Sequence, residues 1–156
     1  MDELWIPVRD GDDRARGLYL RHYSARHYKD KRPRRKFVGP GEYLCLMTVE
    51  CNALFVWRKF ISMDYQEGVS CAIFRNEGYY LSSELIKKAC ILAWQKWPNE
   101  RLYTYVNPRK VKSTNPGYCF LKAGWRRTGM SKGGLLIFEI FPANQSLQPP
   151  LRAAEL

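Results

Sequence analysis

Apolar positions along the chain change period several times, and each change marks an element. Leu4-Trp5-Ile6-Pro7-Val8 is a short apolar run that predicts an edge strand. Asp12 and Asp13 follow as N-cap candidates, and Ala15, Leu18, Tyr19, His22 and Tyr23 then recur on one side of a helix expected to reach about Tyr28. Charged residues 29–36 close it, and Pro33 forbids continuation. Tyr43–Val49 and Ala53–Phe60 are dense in β-branched and aromatic residues and are joined by Glu50-Cys51-Asn52, which reads as a hairpin. Val69–Phe74 predicts a third strand of this group.

From Leu81 to Trp97 the period becomes helical. Ser82 or Ser83 is the expected cap, Glu84 sits in the first turn and Pro98 lies past the end. Leu85, Ile86, Ala89, Cys90, Leu92, Ala93 and Trp97 make an apolar face wide enough to pack on a sheet. Leu102–Val106 alternates as a strand and stops at Asn107-Pro108. Asn115-Pro116-Gly117 opens a short helix that Gly124 ends, and Leu135–Phe141 is a last strand. The expected class is α/β in the α+β sense, a central mostly antiparallel mixed sheet flanked by helices. It forms a single domain over residues 1–141, with a loose Pro-, Gln- and Ala-rich tail at 142–156.

Composition supports a packed domain: 46% of the 156 residues are apolar, too many for a disordered chain. No apolar run is long enough to span a membrane, and the acidic start lacks a signal-peptide layout, so the cytoplasm is the expected compartment. Five cysteines without a C-x-x-C pair argue against a disulfide framework or a zinc ribbon; Cys45, Cys71 and Cys119 read as buried thiols.

Charge adds more. The formal net charge is +11, and it is unevenly distributed. Residues 21–36 hold eight basic side chains and one acid, and residues 101–138 hold eight more with no acid. Folded together, the two stretches predict a positive face, for which nucleic acid is the commonest reason and a CoA ligand with its phosphates a second; the candidates for DNA contact are Arg21, Arg26, Lys31, Arg32, Arg34, Arg35, Lys36, Arg109, Lys110, Lys112, Arg126 and Arg127.

Candidate chemistry is sparse. The only two histidines lie in Arg21-His22-Tyr23-Ser24-Ala25-Arg26-His27-Tyr28, and a spacing of five keeps them off one metal face, so no metal site is expected. His22 is a candidate general base and Tyr23 a proton donor. The same pair also reads as packed side chains on a basic surface helix. Asn76 and Glu77 fall where a strand meets a helix, a place that binds ligands, and Glu77 is a candidate base for an amine or else a solvated carboxylate. Tyr103, Tyr105 and Asn107 share one side of their strand, as a pocket wall, a base-stacking row or one half-buried sheet face.

The order helix, three strands, helix, strand, short helix, strand resembles the GNAT acyltransferase superfamily over residues 43–141. So does the run Asn115-Pro116-Gly117-Tyr118-Cys119-Phe120-Leu121-Lys122-Ala123-Gly124-Trp125. The resemblance implies an acyl-CoA-type donor whose pyrophosphate is held at the loop before the main helix, here Arg75, Asn76, Gly78, Ser82 and Ser83. That loop keeps one glycine where the family has two, and Phe120 stands where the family often has a general-acid tyrosine. In these departures, in the pair His22-Tyr23, in Arg75 and in the residues Gly117, Phe120, Ala123 and Trp125, the chain resembles the Mom-type DNA-modification proteins of bacteriophages.

What this implies is a transferase modifying a base in DNA in a bacterial or phage-infected cell, with His22, Tyr23, Glu77 and Asn107 around one cleft. Two other readings stand beside it: an acetyltransferase of the same fold acting on a small-molecule or protein amine, and a non-catalytic nucleic-acid binder.

Overall fold

The computed structural model describes residues 4–25, 35–61 and 65–142. Arg26, His27, Lys31, Arg32 and Arg34, and all of the tail except Pro142, lie outside the described residues. The elements in chain order are β1 (Trp5–Val8), α1 (Asp13–Leu20), β2 (Glu42–Thr48), β3 (Ala53–Lys59), β4 (Val69–Asn76), α2 (Ser82–Lys96), β5 (Leu102–Val106), α3 (Tyr118–Lys122), β6 (Arg126–Met130) and β7 (Leu136–Ile140). They form a mixed α+β architecture around one open sheet of seven strands, ordered β1-β2-β3-β4-β5-β7-β6. Every neighbouring pair is antiparallel except β4 and β5.

The sheet is covered on both faces over β1 to β4. Ala53, Phe55 and Trp57 of β3 turn to the side of α2 and α3, packing with Trp5, Leu46, Leu85, Ile86, Ala89, Leu102 and Phe138. Leu54 and Val56 of the same strand turn to the other side, under Ala15 and Leu18 of α1 with Cys45, Met47 and Ile73. A strand buried on both faces loses its alternation, and β3 reads accordingly as an unbroken apolar run. Two buried indoles also tie α2 to the sheet side of the core: Trp5 Nε1 donates to Leu85 O at 2.9 Å and Trp57 Nε1 to Ala89 O at 3.0 Å.

Two boundaries and one element depart from the sequence expectation. Asp12 caps α1, its carboxylate accepting from the Arg14 and Ala15 N–H groups, but the helix ends at Leu20 instead of reaching Tyr28. The chain turns at residues 21–24, with His22 N donating to Tyr19 O, and this turn carries His22 and Tyr23 over the sheet. The cap of α2 is Leu81, with no side-chain capping bond, instead of Ser82 or Ser83. The Ser82 hydroxyl is taken by Asn76 Nδ2 at 3.0 Å. Strand β6 was not anticipated. Its sequence, Arg126-Arg127-Thr128-Gly129-Met130, has no apolar alternation because it is a largely exposed edge strand.

One glycine is required by its position. Gly117 precedes α3 with φ +84°, and a Cβ there would run into the Phe138 ring. This close approach seats α3 against β7.

Candidate functional site where β4 and β5 part

The only parallel pair among the described strands is short. β4 and β5 are in register from Val69 with Leu102 to Cys71 with Thr104, and no further. Above that level β4 bulges at Ala72, where its register against β3 shifts, and follows β3 to Asn76. β5 follows β7 to Val106. Thr104 Oγ1 donates to Cys71 O at 3.0 Å, closing the last rung before the strands separate. A gap thus opens at the carboxyl ends of two adjacent parallel strands, the usual place for a ligand in a sheet with parallel pairs.

His22 and Tyr23 enter this gap from the α1 side, their rings stacked at 4.4 Å. The Tyr23 hydroxyl accepts from the Asn107 N–H at 3.4 Å, a long contact to the residue just past β5. His22 Nδ1 accepts from the Ser24 N–H at 3.2 Å and faces the Ser24 hydroxyl at 2.7 Å. A backbone N–H only donates, so this bond assigns the ring proton to Nε2, on the side of the Phe74 backbone in β4. The two rings therefore bridge the parted strands.

Burial pushes the His22 pKa down, the Arg75 guanidinium pushes it further, and the Phe74 backbone only partly offsets them, leaving it at about 4. Burial raises the Tyr23 phenol above its ordinary value. At neutral pH both rings are uncharged, and Tyr23 carries its proton.

Glu77 does not serve as the base expected of it. Its carboxylate accepts from Arg21 Nε at 2.6 Å and Nη2 at 3.0 Å, and from Arg75 Nε at 2.6 Å. The Arg21 bonds, joined by those of Arg75 and opposed by partial burial, hold its pKa at about 2. A carboxylate so weakly basic takes no proton from an amine at neutral pH. Glu77 instead ties the end of α1 to the end of β4, and Arg21 is occupied in that pair instead of standing free for phosphate.

The acid response follows from these shifts. Both folded pKa values lie below the unfolded ones, so the unfolded chain binds more protons and stability falls with pH. The His22 contribution is complete above about 6.5 and is lost as pH drops toward about 4; that of Glu77 is complete above 4.5 and is lost toward about 2. His22→Gln is expected to flatten the loss of melting temperature between neutral pH and about pH 4 while leaving the steeper loss below it. Thermal melts of both proteins across that window check this, and parallel curves would refute the placement of His22.

The loop Arg75 to Ser83 is braced from within. Asn76 Nδ2 donates to Tyr80 O at 2.8 Å as well as to Ser82 Oγ, and Asn76 Oδ1 accepts from the Gly78 N–H at 3.0 Å. The Glu77 N–H donates to Asn52 O at 2.7 Å, and a Cβ on Gly78 would meet the Asn52 side chain. Asn52 was not singled out from the sequence, although its place in a hairpin turn, bonded to Thr48 Oγ1, makes it the rigid partner of this loop.

The described members of the expected basic set divide between two ends of the sheet; Arg26, Lys31, Arg32 and Arg34 lie outside the described residues. Arg109, Lys110 and Lys112 are exposed in the loop that leaves the carboxyl end of β5, where Asn107 Oδ1 accepts from the Arg109 N–H at 3.0 Å. That bond turns the Asn107 side chain into the loop, so its site contribution is the backbone N–H. Arg126 pairs in register with Glu139, level with Tyr103 and far down the sheet, and Arg127 is its neighbour on the same strand. The acid just past the acid-free stretch takes two of its cations: Glu139 accepts from Arg101 Nε at 2.6 Å and from Arg126 Nη2 at 2.7 Å. Arg35 and Lys36 are exposed beside the start of α1, Arg35 within 3.9 Å of Asp13. Arg21 is at the other end of that helix, about 12 Å away by its rise per residue.

Tyr103 is fully buried and lies beneath the Arg101 guanidinium, so it is core and no base stacks on it. Tyr105, half-buried, meets it edge-on at 5.9 Å. Burial raises the thiol pKa of Cys45 and Cys90 to about 12 and that of Cys71 higher still, which leaves no thiolate nucleophile at these positions. No helix among the described residues is long and apolar enough to cross a membrane.

No protein-family profile matches the chain, and no curated protein or solved structure matches it either.

Proposed function

We propose that this protein is a transferase of GNAT-like layout that acts on a base in DNA. The observation that carries the reading is the parting of the parallel strands β4 and β5 at the end where a basic loop leaves β5. A gap between β4 and β5, with the main helix following β4 and the turn after the first helix reaching the gap, is the arrangement the resemblance calls for. Arg109, Lys110 and Lys112 at its rim supply phosphate contacts without reading sequence. Tyr23, protonated and at the gap, is the group suited to hand a proton to a reacting nitrogen or oxygen.

An acyl-CoA donor, implied by the same resemblance, would be gripped by the loop between β4 and α2. Arg75 is held by Glu77, and Asn76, Gly78 and Ser82 use polar atoms on one another. In this arrangement Arg75, Asn76, Gly78 and Ser82 are engaged within the loop and do not form a pyrophosphate cradle.

Mass spectrometry of nucleosides from the DNA of cells expressing the protein tests the proposal: a base of altered mass, absent from control cells, is expected. Phosphate binding is tested separately. Replacing Arg109, Lys110 and Lys112 by Gln should weaken binding to all DNA sequences alike and flatten the salt dependence by roughly one unit per residue replaced. An unchanged salt slope would refute their role.

A second reading, a DNA binder without catalysis, is favoured by one observation, the pinning of Glu77 at about 2. It predicts the same salt dependence and no altered nucleoside.

A further inference from the structure

The loop between β4 and α2 carries a feature the site does not use. Tyr79 is 86% exposed and Leu81 is 71% exposed, although both stand on a segment fixed at both ends. Asn76 holds Tyr80 O and the Gly78 N–H, and Asn52 O holds the Glu77 N–H. The Tyr80 hydroxyl donates to Glu50 Oε2 at 2.8 Å, and the Tyr79 ring leans on the Tyr80 ring at 5.6 Å. Large apolar side chains in solvent are ordinary when scattered on mobile loops; here two of them are presented by a braced one.

Leu81 also breaks a local rule. It is the N-cap of α2, a position where leucine is poor and serine good, and it makes neither a capping bond nor a buried contact. Departures from local preference without a structural gain mark functional positions. The segment leaves the sheet at the carboxyl end of β4, the same end as the loop bearing Arg109, Lys110 and Lys112 beyond β5. Apolar side chains at the same end of a sheet as a basic loop are suited to engage DNA bases once phosphates are held: aromatic rings stack on any base, and aliphatic wedges enter between base steps.

We propose that Tyr79 and Leu81 form a base-stacking wedge, which takes the unstacked nucleobases of a DNA strand held by the basic rim. The inference rests on the DNA reading above and adds to it how a base is kept out of the stack. Work on a base inside a duplex requires its extrusion, and a rigid wedge over the β2–β3 hairpin, where Tyr80 meets Glu50 and Glu77 meets Asn52, receives the unstacked bases of the same strand.

The test separates bases from phosphates. Binding is measured by fluorescence polarisation to an oligodeoxythymidylate strand and to an abasic strand of the same length, which keeps the sugar-phosphate chain and lacks bases. The wild-type protein should prefer the strand with bases by at least about tenfold, the scale of one stacked base. Tyr79→Ala with Leu81→Ala should abolish that preference while leaving affinity for the abasic strand unchanged. Leu81→Ser should lower the preference and raise the melting temperature by a few degrees, since serine restores the helix cap; a fall in both would make Leu81 structural. Equal wild-type binding to both strands overturns the wedge and leaves the DNA reading standing. Failure to bind either strand overturns the DNA reading and the wedge with it.

Discussion

Glu139→Ala is expected to destabilise the fold by about 3 kcal/mol, the scale for breaking a buried ion pair by removing one partner. The Glu139 side chain is only 7% exposed and that of Arg101 17%. Arg101 is further fixed by Gln66 Oε1 at 3.0 Å and Glu67 O at 2.9 Å, and its guanidinium lies over buried Tyr103. Removing the carboxylate therefore leaves a cation that cannot swing into water without giving up these contacts. Burial pushes the Glu139 carboxyl up, but Arg101 and Arg126 together outweigh it and hold the group below its ordinary value. The pair thus stabilises the fold above the unfolded carboxylate pKa and is lost as pH falls. For a domain of this size a loss of this order lowers the melting temperature by roughly 10 °C. Calorimetry of Glu139→Ala, beside the combined Arg101→Met and Glu139→Leu protein, decides the point. The combined protein, with no orphaned charge, should recover most of the loss. A single variant that melts with the wild type would show that the pair is solvated and contributes nothing.

Elements with a clear period were legible in the sequence, and elements set by contacts were not. The length and apolar face of α2 follow from residues 85 to 97 alone, and the run in β3 announces burial on both faces. β6 stayed hidden because an exposed edge strand needs no alternation, and its pairing with β7 is a non-local event that Arg126 and Arg127 do not encode. The first helix was overextended because Ala15, Leu18, Tyr19, His22 and Tyr23 do keep a helical spacing. His22 and Tyr23 are apolar-facing for another reason, their place across the gap between β4 and β5.

The candidate site divides along the same line. The structure brings Tyr23, His22, Glu77 and the Asn107 backbone to one end of the sheet. It assigns them different states, because a carboxylate between two guanidinium groups is no base, and no spacing rule shows that Arg21 and Arg75 converge on Glu77. Asn52, Tyr79 and Leu81 carried a faint signal at most. Leu81 at the cap was not readable at all, because the two serines after it are the better cap by residue type.

Tyr23→Phe isolates one atom of the proposed chemistry. The substitution keeps the ring, and with it the stack on His22 at 4.4 Å, and removes only the hydroxyl that meets the Asn107 N–H. The hydrogen bond is long and Tyr23 is 38% exposed, so little stability depends on it and the melting temperature should stay near that of the wild type. If the phenol hands a proton to the reacting group, its loss should slow base modification by about a hundredfold to ten-thousandfold, the usual range for a positioned acid. DNA affinity should not move, because the phosphate contacts proposed above belong to Arg109, Lys110 and Lys112 and the Tyr23 hydroxyl meets the Asn107 N–H instead. His22→Ala should lower modification through Tyr23, by removing the stacked ring and the link to Phe74; His22→Phe, which restores a ring to stack on, should recover part of it. That recovery separates a positioning role from a direct one, since a proton-transferring imidazole is not replaced by a phenyl ring. The measurement is the amount of altered nucleoside in cells expressing each variant at equal protein level. Modification by Tyr23→Phe at the wild-type level would remove Tyr23 from the chemistry and leave the stacked pair as a brace between the parted strands.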